Sequence, residues 1–101
     1  MKQDYEAARL LCSKRCSGNH FIGCYNLASL IESGTGGYQN LEEASELHAQ
    51  ACGGGYGPSC HAVGLMLELG AGIEKSLWAS QDYYRIGCEL NHEPSCQKVS
   101  K

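Results

Sequence analysis

The chain has 101 residues, 43% of them hydrophobic, and eight Lys and Arg against eleven Asp and Glu leave a net charge of −3. That length supports one domain, and no apolar run approaches the roughly 20 residues of a membrane-spanning helix. The basic residues are scattered rather than striped, which excludes nucleic acid and an anionic membrane surface as partners.

Six of the seven cysteines keep a fixed period. Cys16 and Cys24, Cys52 and Cys60, and Cys88 and Cys96 are pairs eight apart, repeated every 36 residues. Units of that length cannot bury a hydrophobic face alone, so the period reads as stacked helical hairpins. The rest of the chain keeps the same register. Leu11, Leu47 and Tyr83 share one phase, as do Leu27, Val63 and Val99, and Gly34 and Gly36 recur as Gly70 and Gly72. The units are residues 4–37, 40–73 and 76–101, in one domain spanning 1–101. Strand signals are absent.

In the first unit Asp4 stands where a helix N-cap is needed, and Tyr5-Glu6-Ala7-Ala8 opens the first helix of the hairpin. Cys16 falls in its last turn and Cys24 in the first turn of the second helix. Gly34-Thr35-Gly36-Gly37 closes the unit.

The second unit repeats this from Asn40, with Glu43 placed to complete a capping box. Its first helix runs from about Leu41 to Cys52 and stops at Gly53-Gly54-Gly55, where glycine supplies the left-handed conformation. The second helix starts near Pro58. Its stripe Cys60, Val63, Gly64, Leu67 is one apolar face, and Gly64, in phase with Ala28, admits a close neighbour.

The third unit opens at Ser76 and ends in a short helix, Pro94–Lys101, that stops before the equivalents of Leu67 and Leu69. Its first helix is therefore left partly uncovered. Trp78 stands in the phase of Glu6 and Glu42, an exposed position, with Tyr83 and Tyr84 one and a half turns further on. An uncovered apolar face marks a contact, and these three residues are the candidate partner-binding group. At the other end Arg15 replaces Ala51 and Gly87, as a capping first repeat requires.

Gly64-Leu65, Gly70, Gly72-Ile73 and Asp4-Tyr5-Glu6-Ala7-Ala8 give the chain a likeness to the Sel1-like repeat, a relative of the tetratricopeptide repeat, along essentially its whole length. The loop hydrophobe becomes Gly37 in the first unit, the cap aspartate becomes Asn40 or Ser76, and the glycine in the middle of the second helix becomes Ala28 or Ser100. The paired cysteines narrow the likeness to the cysteine-rich branch, known from secreted bacterial proteins and from a mitochondrial assembly factor for cytochrome c oxidase. The resemblance implies an all-α, right-handed α-solenoid of antiparallel hairpins.

An antiparallel hairpin brings each pair of cysteines within the roughly 4.4–6.8 Å between Cα atoms that a disulfide needs. The expected bonds are Cys16–Cys24, Cys52–Cys60 and Cys88–Cys96. A rival is zinc on the Cys12 and Cys16 thiolates, but zinc needs four converging ligands, and same-phase cysteines of successive repeats stand at least a helix diameter, roughly 8–10 Å, apart. Cys12 matches His48 and Tyr84 in phase and belongs to no pair, so it is expected as a free, half-buried thiol. Of the four histidines, His20 and His92 share a phase and His48 and His61 stand alone, which reads as turn and surface positions.

No nucleophile stands beside a base and no carboxylates converge, so the expectation is no enzyme, no catalytic residue, no metal and no cofactor. The reading is an interaction scaffold with protein partners, no nucleic acid and no membrane span. Resemblance to the mitochondrial factor implies an accessory or assembly role on a large membrane-bound respiratory-chain complex, in the intermembrane space. The alternatives are a secreted or periplasmic bacterial protein, or thiol-disulfide or haem handling through Cys12 and Cys16. Disulfides require an oxidising compartment. No signal-like apolar stretch follows Met1, and Asp4 comes almost at once, which favours the intermembrane space.

Overall fold

Six helices form in chain order in the computed structural model, which describes residues 4–100: α1 (Tyr5–Ser17), α2 (Phe21–Ser33), α3 (Leu41–Gly53), α4 (Gly57–Leu69), α5 (Leu77–Glu89) and α6 (Glu93–Lys98). Among the described residues there is no strand. Met1 and Lys101, and with them the expected start and the last residue of the final helix, lie outside this range. The helices pack as sequential neighbours into a rod with extents 47 × 24 × 23 Å.

Caps set where each repeat begins. Asp4, Asn40 and Ser76 each accept the backbone N–H three residues on, at 3.0–3.1 Å, which satisfies a donor that the helix leaves free. Asn40 does not use Glu43 to close a capping box. Its own N–H donates to Ile31 O at 3.2 Å, and Ser76 N–H donates to Leu67 O at 3.0 Å. The cap residue thus ties each repeat to the last turn of the repeat before it.

Between the two helices of a hairpin the left-handed residue is Asn19, Gly55 or Asn91, with φ of 64°, 96° and 66°. Gly53 is still helical and Gly54 has φ −83°, so the triple glycine supplies a single left-handed residue rather than a run. Asparagine serves equally well in the sister repeats because its short polar side chain tolerates that region. All three donate to the carbonyl of the preceding cysteine, Cys16, Cys52 or Cys88, at 2.9–3.0 Å.

Two apolar clusters form where the first repeat meets the second. Leu27, Ile31, Ala44 and Met66 form one cluster, flanked by Cys12, Leu41, Leu47 and Ile73. Cys16, Cys24 and Ala51 form another, with Phe21, Tyr25, Leu47 and Tyr56 around it. Leu47 touches both. The final helix is shorter than its pattern, since α6 ends at Lys98 and Val99 turns extended.

Candidate interaction surface

Three disulfides join the helices within each hairpin: Cys16–Cys24, Cys52–Cys60 and Cys88–Cys96, with Cα separations of 4.5, 4.6 and 4.5 Å. Cys12 is free and half-buried against the Leu27 cluster. Because the Cys16 sulfur is bonded to Cys24, Cys12 and Cys16 do not form a dithiol or a pair of thiolate ligands. Among the described residues no three His, Cys, Asp or Glu side chains are grouped to hold a metal, and no helix is long and apolar enough to cross a membrane.

Each junction between repeats carries the same polar cluster, shifted by 36 residues. At the first, the rings of Tyr25 and His48 lie 5.3 Å apart, Tyr25 and Tyr56 5.1 Å apart, and His48 Nε2 is 3.1 Å from Glu32 Oε1. At the second, His61 and Tyr84 are 5.4 Å apart, His61 and His92 5.2 Å apart, and Tyr84 donates its hydroxyl to Glu68 Oε1 at 3.2 Å. Lys98 Nζ is 3.2 Å from the same Glu68 oxygen and 5.5 Å from the centre of the Tyr84 ring.

Tyr84 therefore does not belong to a partner-binding face. It is 0% exposed, its ring fills the space left by Gly64, and a Cβ at residue 64 would stand 2.6 Å from it. Burial, reinforced by the Glu68 charge, pushes its hydroxyl pKa up to about 12. His48 is likewise interior rather than a turn or surface residue. Burial holds its pKa below the usual histidine value against the opposing pull of Glu32. A carboxylate only accepts, so neutral His48 donates from Nε2, and its Nδ1 is buried with no partner. His61 is lowered too, by burial first and then by His92 and Lys98.

Trp78 lies at the opposite extreme, 88% exposed on the first turn of α5. Its neighbours Leu77, Gln81, Asp82 and Arg85 line a shallow dent of about 260 Å³ beside it. Arg85 and Asp82 pair across one turn at 3.2 Å. Leu77 is open for an identifiable reason. In the first two repeats a left-handed glycine, Gly36 or Gly72, lies so tightly on the backbone of Tyr5 or Leu41 that no Cβ fits. No described residue takes that place over Leu77, the third member of the phase. Tyr83 is half-buried on the same helix. The phase of Trp78 with Glu6 and Glu42 marked its exposure in the sequence. Exposed Tyr38, whose carbonyl accepts from Arg9 at 3.0 Å, lies in an inter-repeat loop and had no such signal.

No protein-family model matches the chain, and no curated protein matches it. Among solved structures it is similar to cysteine-rich protein B of Helicobacter pylori, with TM-score 0.88 and 25% identity over 90% of this chain and 68% of that one. It is also similar to a Sel1 repeat protein from Oxalobacter formigenes, with TM-score 0.81 and 23% identity over 94% of this chain and 41% of that one. This chain thus spans less than half the length of the second. Three helical hairpins, each stapled by its own disulfide, stack with the fold of these two structures, that of a Sel1-like repeat solenoid.

Proposed function

We propose that the chain is a non-catalytic scaffold for protein–protein interaction and that a protein partner engages the first turn of α5 through Trp78, with Leu77 beside it and Tyr83 further along the same helix. One observation carries the reading: a tryptophan stands 88% exposed where both sister repeats carry glutamate. Tryptophan anchors interfaces because it buries a large rigid area at little entropic cost. The repeat units 4–37, 40–73 and 76–101 serve as the spacers that hold this turn in place.

Disulfides and the two bacterial relatives fit an oxidising compartment. A periplasmic or secreted location is the reading that fits two bacterial neighbours, and the mitochondrial intermembrane space is the reading carried by the sequence resemblance. A respiratory-chain assembly role rests on the sequence resemblance alone.

The test is proximity crosslinking in cells of the source organism with wild-type chain, Trp78→Glu and a control substitution, Leu10→Glu, on α1. Adducts present with wild type and the control but absent with Trp78→Glu support the reading, provided all three chains show equal helical circular dichroism. Adducts unchanged by Trp78→Glu would place the interface elsewhere.

A further inference from the structure

Among the described residues, the two ends of the rod present the two halves of a junction that the chain makes twice. On the incoming helix, α3 or α5, that junction buries Ala44, His48 and Ala51, and again Ser80, Tyr84 and Gly87. The same phases on α1 are Ala8, Cys12 and Arg15, and they are open or half-open. Leu11, in phase with Leu47, is 51% exposed. On the receiving side Cys24 and Cys60 are fully buried and Leu27 and Val63 nearly so. Their third-repeat counterparts Cys96 and Val99 stay half-exposed and line one shallow surface with Cys88, Glu89 and Arg85, whose guanidinium is already paired with Asp82.

We infer that a second copy of this chain docks head to tail, its α1 seated on the α5–α6 end of the first copy in the way α3 sits on α2 and α5 on α4. Charge commits the face to a copy of itself. Within the chain, a Cβ on Gly57 would lie 3.6 Å from Gly87 O and 3.0 Å from His92 Cβ. One repeat on, Gly57 becomes Glu93. One copy on, Gly87 and His92 become Arg15 and His20. The register that builds the internal junctions therefore sets Glu93 of one copy against Arg15 of the next, with Lys14 beside it. Arg15 replaces a fully buried Ala51, and a guanidinium entering such a junction needs a carboxylate opposite it. Glu93 supplies one. Neither residue has an ion-pair partner among the described residues.

Such a contact is heterologous: each copy uses one end, so growth is open-ended and does not stop at a dimer. Because α6 has six residues against the thirteen of α2 and α4, the contact is smaller than the internal junctions. Its dissociation constant should be on the order of 0.1 mM, as befits a small interface.

Sedimentation of the 101-residue chain in low salt tests it. The weight-average mass should climb past that of a dimer between about 10 μM and about 1 mM and fall back in about 0.5 M salt. Arg15→Glu and Glu93→Arg, both at exposed positions that spare the fold, should each remain monomeric alone. Mixed one to one they should associate again, since every contact in the mixture then pairs opposite charges. Trp78→Glu should behave as wild type. A wild-type chain monomeric at about 1 mM would overturn the proposal and leave both ends to flanking repeats or to another protein. Association untouched by the single charge reversals, or an equimolar mixture that stays monomeric, would overturn the head-to-tail geometry.

Discussion

Gly64 and Tyr84 are a fitted pair, and neither has meaning alone. An alanine at 64 would gain up to roughly 1 kcal/mol of helix propensity. Its Cβ would also stand 2.6 Å from a ring that is fully enclosed and cannot retreat. Overpacking of this kind costs about 1–3 kcal/mol, so it wins. Gly64→Ala should lower the melting temperature by roughly 4–15 °C, as thermal circular dichroism would show. One repeat earlier Ala28 is tolerated in the same phase, where the residue in phase with Tyr84 is the smaller His48.

His48 makes the first junction sensitive to acid. Its folded pKa lies below 6.5, so as pH falls through 6.5 the unfolded chain takes up a proton that the folded chain refuses. Stability is therefore complete above that pH and declines below it, because a proton on buried Nδ1 would have no acceptor. His61, lowered in the same direction, adds a similar slope at the second junction. Urea midpoints should fall between about pH 6.5 and 5, and the double substitution His48→Gln, His61→Gln should flatten that decline, since glutamine keeps a donor for Glu32 and does not titrate.

Each hairpin is a helix pair closed by a nine-residue loop, and cross-linking such a loop contributes about 2–3 kcal/mol on the chain-entropy estimate. The helices differ in how much they depend on it. α1 to α5 are thirteen residues long, whereas α6 has six residues, too few to be stable without tertiary support. The Cys88–Cys96 bond holds it, helped by Gln81, which donates to Lys98 O at 3.0 Å and accepts from Ser100 N–H at 2.7 Å. Replacing Cys88 and Cys96 together by serine should strip hydrogen-exchange protection from α6 while α3 and α4 remain protected. Equal loss across all helices would show that the third hairpin is coupled to the rest more strongly than its short helix implies.

Across the whole rod the covalent and non-covalent links divide the labour. Every disulfide lies within one repeat, and none crosses a junction. The junctions are held by the Glu32 and Glu68 clusters, by apolar packing and by the cap-to-helix bonds from Asn40 and Ser76. Three such staples are large against the roughly 5–15 kcal/mol of a whole domain. Full reduction should lower the melting temperature by tens of degrees or abolish the cooperative transition, and non-reducing peptide mapping of the native chain should recover only the three eight-residue links. Any inter-repeat link, or a Cys12–Cys16 link, would contradict this arrangement.

The 36-residue period and the outward phase of Trp78 were legible by laying the repeats on one another, and the two helices per repeat and the capping positions from neighbours a few places along the chain, because each is a property of a single hairpin. Burial at the junctions was not. Phase placed Cys12, His48 and Tyr84 together, yet one is a half-open thiol and the other two are enclosed rings, since enclosure depends on whether another repeat supplies a helix opposite. His61 and His92 touch although their phases differ, because α4 and α6 both reach the second junction. The capping box predicted at Asn40 gave way to a bond with Ile31 for the same reason. A periodic sequence specifies where each residue sits in its own hairpin; what that residue meets is decided by the stacking of one hairpin on the next, across separations of 9 to 34 residues that no local pattern reports.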